Sequence, residues 1–163
     1  MSYKRLGVIA VLLMFLAFPA SASMVSLLLV ETGISEKTSS SQYSSLWEGG
    51  LMSVFFDAGH IITNNPIARM EKKPEPDLSG PVATDIEEAV RGGADFFILG
   101  FLEYKPQRDR VALSGITLKL YKADSRQIVF EQHFPAGTGK NSNEEYQFAQ
   151  NAGRIIVSHI KER

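Results

Sequence analysis

The sequence predicts a mixed α/β (α+β) domain, and three observations carry that expectation. Met24 to Glu31 and Phe96 to Leu102 are short, nearly unbroken apolar runs, which need cover on both faces, as strands in the middle of a sheet do. Ser45, Thr84 and Ser142 each stand three positions before a glutamate and ahead of a helical stripe, the spacing of a capping box. From Arg110 to Phe134 two β-rich runs are joined by a tight polar turn, which reads as an antiparallel meander. The expected order is β-α-β-α-β-β-β-α, a mixed sheet with a C-terminal antiparallel meander, flanked by helices.

The chain has 163 residues, 17 Lys+Arg against 18 Asp+Glu, and no cysteine. Its first part reads as an address rather than as fold. Lys4 and Arg5 precede a 13-residue apolar run, Leu6 to Phe18, and Ala20-Ser21-Ala22 offers the small residues that a signal peptidase requires. Residues 1–22 are therefore expected to be a cleaved signal peptide and 23–163 a single α/β domain. A retained membrane anchor is the alternative, and only that alternative attaches the chain to a membrane. Cleavage leaves 141 residues with 15 basic and 18 acidic side chains, a net charge of −3. The expected compartment is periplasmic or secreted. Without cysteine there is no disulfide framework, no thiol nucleophile and no lipid-anchored cysteine. The charge balance argues against nucleic acid as a partner.

Met24 to Glu31 is the first expected strand. A polar, serine-rich stretch over 35–44 follows as a loop, and Ser45-Leu46-Trp47-Glu48 should open a helix. Leu46, Trp47, Leu51, Val54, Phe55 and Ala58 form its apolar stripe, and Gly59 suits the left-handed residue that closes it. Ile61 to Thr63 is a short strand stopped by Asn64-Asn65-Pro66. Glu71 to Pro81, with three prolines and five charges, reads as an exposed connection. Thr84-Asp85-Ile86-Glu87 starts a second helix that ends at Gly92-Gly93. Phe96 to Leu102 is a central strand. In the next strand Ile116, Leu118 and Leu120 alternate with Thr117, Lys119 and Tyr121, which predicts one buried and one wet face. Ser142-Asn143-Glu144-Glu145 opens a last helix with Tyr146, Ala149, Ala152, Ile156, Val157 and Ile160 on one stripe.

Gly93-Ala94-Asp95-Phe96-Phe97-Ile98-Leu99-Gly100, together with a meander turn reading Leu120-Tyr121-Lys122-Ala123-Asp124-Ser125-Arg126, resembles the N-terminal domain of the TolB family. The chain is also similar to the related modules of the CsgG and LpoB families. The resemblance implies a bacterial envelope module that works by protein–protein contact in the periplasm rather than by catalysis. The lipid-bearing cysteine of CsgG and LpoB and the propeller of TolB are missing, so anchoring and pore formation do not carry over.

Few residues point to chemistry. Asp57 and His60 are three apart and could share a helical face as a carboxylate–imidazole pair or as two metal ligands, the basis of an alternative reading as a small hydrolase or metal-dependent enzyme. No third ligand stands at motif spacing, Gly59 favours a cap-and-turn role for the pair, and no catalytic residue, metal or cofactor is expected. No Gly-x-Ser-x-Gly elbow occurs, and Gly137-Thr138-Gly139-Lys140 lacks the phosphate-loop spacing. Among the aromatics, Phe56 on the flank of its helix and Phe134 at a strand end are the candidates for a surface patch. The expected partner is a protein of the cell envelope.

Overall fold

A computed structural model describes residues 22–34, 42–107, 110–136 and 141–161. The expected signal segment up to Ser21, most of the serine-rich stretch and Gly137 to Lys140 lie outside the described residues.

The framework is a six-stranded mixed sheet: β1 (Met24–Thr32), β2 (Ile61–Asn64), β3 (Ala68–Met70), β4 (Phe96–Gln107), β5 (Arg110–Lys122) and β6 (Ile128–Pro135). Its order is β2-β1-β4-β5-β6, with β3 following β2 along the same side of β1. β1 is parallel to β2, β3 and β4, while β4, β5 and β6 form the antiparallel meander. The helices are α1 (Gln42–Asp57), α2 (Pro81–Arg91) and α3 (Ser142–Lys161). The mixed α/β class stands as expected. The one addition to the order is β3, whose three residues pair with Val30, Glu31 and Thr32.

Two layers of side chains explain the unbroken apolar runs. Val25, Leu27, Leu29, Ile98, Leu102, Ile116, Leu118 and Leu120 face the layer made by α1 and α3. Leu28, Val30, Phe97, Leu99, Phe101 and Tyr121 face α2. Glu103 opposes Gly115 and Tyr104 opposes Leu113, so Ser114 is the extra residue of a bulge. That inserted residue shifts the pleat of β5 and turns Leu113 toward the two-helix side.

The expected wet face of β5 is a correction. Thr117, Lys119 and Tyr121 are all buried. The connection between β3 and α2 lies over this face, where Asp77 takes an ion pair from Lys119 Nζ at 2.6 Å and a hydrogen bond from the Tyr121 hydroxyl at 3.3 Å. The alternation read polarity correctly, but polarity is not exposure when the polar groups pair with one another.

Helix ends also moved. α1 starts at Gln42 and α2 at Pro81, three residues before the expected caps, and Pro81 occupies the first turn, where a missing N–H costs nothing. At α3 the cap is Asn141, whose Oδ1 accepts from Glu144 N at 2.9 Å. The C-terminal glycines behave as expected: Gly59 (φ 84°) and Gly93 (φ 86°) are left-handed. The amide of the residue after each donates to a carbonyl five residues back, His60 to Phe55 and Ala94 to Ala89.

α1 and α3 meet through Gly50, where an added Cβ would lie 2.6 Å from Ala149 Cβ and 2.9 Å from the Tyr146 carbonyl oxygen. Gly153 gives the second close approach, with Val54 Cβ at 3.3 Å from its would-be Cβ. Gly50→Ala should therefore cost about 1–3 kcal/mol, the usual range for forcing atoms into a filled contact. Urea unfolding of the two chains measures it; equal midpoints would mean that the helices do not approach this closely.

Candidate interaction surface

The structure sends the four residues singled out by sequence to different surroundings. Phe56, on the outer side of α1, is 76% exposed. Phe134 is a correction: it is buried, in an aromatic cluster with Trp47 (ring centroids 6.5 Å apart) and Phe148 (6.5 Å, edge to face). A strand-end position suggested exposure, but α3 passes over this end of β6 and closes it. Asp57 is exposed and lines an open depression of about 350 Å³ with Val54, Ala58, Arg154, Val157 and Ser158. His60 does not line it. Its ring is buried, packs against Phe55 (centroids 6.0 Å apart) and accepts a hydrogen bond at Nδ1 from Ser23 N, 3.4 Å away. Among the described residues no group of three or more His, Cys, Asp or Glu side chains could hold a metal ion.

Beyond Phe56, the exposed large apolar side chains include Ile61 at the first position of β2 (53%) and Ile128 at the first position of β6 (52%). β2 and β6 are the outermost strands. Phe56 and Ile61 flank the Gly59 turn, one on the last turn of α1 and the other on the edge strand it feeds. Ile61 was hidden from sequence reasoning because a β-branched residue in a short apolar run looks the same on an edge as in a core; only the pairing order exposes it.

The buried polar groups serve the scaffold. Glu31, completely buried at the end of β1, accepts from Arg69 Nε at 2.7 Å and from the Ser44 hydroxyl, and through Ser44 reaches the Tyr104 hydroxyl, 3.0 Å from Ser44 Oγ. β1, β3, β4 and α1 thus meet on one carboxylate. Trp47 Nε1 donates to Glu145 Oε1 at 2.6 Å, joining α1 to α3. Glu145, expected to close a capping box on its own helix, is spent on this partner instead.

On the other face Lys119 Nζ lies 2.6 Å from Asp77 Oδ2 and 2.8 Å from Glu131 Oε1. Burial works to raise the Asp77 carboxyl, but the hydrogen bond from Lys119 and the charges of Lys73 and Lys119 outweigh it and hold Asp77 below the ordinary carboxylate value. For Lys119, burial works downward, and the hydrogen bonds to Asp77 and Glu131 prevail and raise it. Burial first, then the Asp77 charge, raises Tyr121, which keeps its proton and donates. Both members of the pair are held in their charged forms.

The class defined by these features is a mixed α/β module whose buried carboxylates and lysine are paired within the scaffold and whose most exposed large apolar side chains are Phe56, Ile61 and Ile128. No protein-family model matches the chain, and no curated protein matches it in sequence. Among solved structures, it is similar in fold to a dodecameric variant of PelC from Paraburkholderia phytofirmans: TM-score 0.51, 13% identity, with 87% of this chain and 90% of PelC covered. More distant are TolB from Acinetobacter baumannii (TM-score 0.40, 11% identity, 87% of this chain, 28% of TolB) and lipoprotein GNA1162 from Neisseria meningitidis (TM-score 0.46, 11%, 84% and 99%). The expected kinship with TolB thus reaches a distant likeness, and kinship with CsgG and LpoB is not shown. Among the described residues no helix is long and apolar enough to cross a membrane.

Two outcomes follow from the polar groups. Arg69→Met should cost about 3–5 kcal/mol, because it removes the ion-pair partner of the buried Glu31; denaturant unfolding at neutral pH checks this, and a near-neutral result would mean that the Arg69–Glu31 pair does not hold β3 to β1. Asp77→Asn should cost about 1–3 kcal/mol at neutral pH. Because the folded Asp77 value lies below the ordinary 3.8, its contribution is complete above that value and fades as pH falls through the folded one. Wild type and variant should therefore converge in acid, in unfolding curves taken from pH 7 downward.

Proposed function

We propose that this chain is an exported, non-catalytic protein-interaction module of the bacterial cell envelope, contributing to the assembly or regulation of an envelope complex. The observation that carries the reading is Phe56, a large aromatic 76% exposed on an otherwise well-packed helix. Exposed aromatics of this kind serve as anchors that fill a partner's pocket. Ile61, five positions on and past the Gly59 turn, is a second exposed apolar side chain, and Asp57 beside Phe56 is exposed as well. The leader-like N-terminus supports export. The fold shared with PelC, a protein solved as a dodecamer, supports a role in assembly. The partner is an envelope protein that presents an apolar pocket to the end of α1.

A photo-crosslinking side chain at position 56, in cells exporting the full chain, should give a discrete protein adduct, and the same group at the exposed Glu87 should not. Phe56→Glu should abolish co-purification of that partner while changing stability by no more than about 0.5 kcal/mol, as is usual for an exposed site. If position 56 yields no adduct, or if Phe56→Glu retains the partner, the Phe56 surface is not the contact.

A further inference from the structure

The candidate enzymatic residue His60 has a backbone partner. Its Nδ1 faces the backbone nitrogen of Ser23, 3.4 Å away. Ser23 is the residue that cleavage after Ala22 would make the first of the mature chain. The surroundings are built around this residue: the Ser23 carbonyl accepts from Ile61 N at 3.0 Å, beginning the β1–β2 pairing. The next amide, Met24 N, donates to Asp95 Oδ2 at 2.8 Å, and Asp95 N returns a bond to the Met24 carbonyl at 2.8 Å. Ala22, one residue earlier, is exposed. Among the described residues Ser23 is the first that bonds to the edge of the sheet, and it directly follows the bond that the Ala20-Ser21-Ala22 pattern marks for cleavage.

We propose that His60 is the receptor for the α-amino group that signal cleavage creates on Ser23, with Asp95 placing a negative charge beside it. In the uncut chain Ser23 N is an amide with one proton to give. After cleavage it is an ammonium, whose hydrogen bond to the unprotonated Nδ1 is charge-assisted and stronger. Processing then tightens the edge at which β1 and β2 start. The mature N-terminus is a docked part of the sheet and not a tether, and the buried imidazole has a structural ligand in place of a catalytic one. This rests on the export reading of the leader.

Export of the full chain followed by intact-mass measurement tests the cleavage position, and periodate tests the lock. Periodate splits the bond between the α and β carbons of a serine only where the amine is free, so an N-terminal Ser23 reacts and internal serines do not. The mature chain should have lost 22 residues, and its Ser23 should oxidise about tenfold more slowly than the same terminus in His60→Leu, the scale expected for a hydrogen bond to a charged group. A second chain, whose mature form retains Ala22, keeps His60 but moves the ammonium away. It should melt about 3–5 °C below the chain beginning at Ser23. Cleavage elsewhere would overturn the site together with the expected leader boundary. Cleavage after Ala22 with equal melting temperatures for the two N-termini, or with equally fast oxidation in wild type and His60→Leu, would overturn the lock and leave export standing.

Discussion

The nine residues of β1 set the terms for the rest of the molecule. Both edges of this strand are hydrogen-bonded, to β4 on one side and to β2 and then β3 on the other. Both faces are covered, so every residue from Val25 to Thr32 is buried. A strand in that position has nowhere to send a polar side chain, and yet it carries Glu31. Burying a carboxylate alone is costly enough to exclude the arrangement, so the fold must bring donors to it. Ser44 comes from the first turn of α1, Arg69 from β3 and, through Ser44, Tyr104 from β4. The requirement explains features that look arbitrary in isolation: a helix that begins at Gln42, and a three-residue strand directly after a proline-containing turn.

Much of this was legible in the sequence, because burial on two faces leaves a continuous apolar run. β1, β4 and the meander were readable in that way, as were the positive-φ glycines that close α1 and α2. What was not readable depended on partners distant in sequence. β3 has no periodicity of its own and exists through pairing with the end of β1. The capping boxes matched a local pattern, but Glu145 is committed to Trp47, 98 positions away in sequence, and Asn141 takes the capping role. Thr117, Lys119 and Tyr121 gave a polar alternation that local reasoning assigns to solvent. Partners distant in sequence make their burial possible: Asp77, brought over from a proline-rich connection, for Lys119 and Tyr121, Glu131 for Lys119, and His133 for Thr117.

The candidate site divides along the same line. The position of Phe56 could be read in part from helical angle: it was expected on the flank of the stripe formed by Trp47, Leu51, Val54 and Phe55, and it is 76% exposed. Phe134 was misplaced because its exposure was decided by two distant helices: α1 brings Trp47 and α3 brings Phe148 against it. Asp57 and His60 share a spacing but not an environment: the turn at Gly59 sends the backbone from the helix surface into the sheet edge between them. Three residues of separation bring side chains together only while the helix continues, and here it stops at Asp57.

The two faces of the sheet are held by different forces, and that bears on where a partner can bind without cost. On the α1–α3 side the helices approach through Gly50 and Gly153, with Trp47 bonded to Glu145 and Ser53 to Gln150. A helix fixed at close range in this way presents Phe56 from a rigid base, so little conformational entropy remains to be lost on binding. On the α2 side part of the cover is the apolar face of α2 and part is a proline-rich connection held to the sheet by ion pairs among Lys73, Asp77, Lys119 and Glu131. That connection depends on pH and on the survival of a few charges, and removing it would uncover Lys119 and Tyr121, which are polar and unsuited to an apolar pocket. The side with the firm scaffold is also the side with the exposed aromatic. That coincidence favours docking at the end of α1 over any mode that peels the connection away.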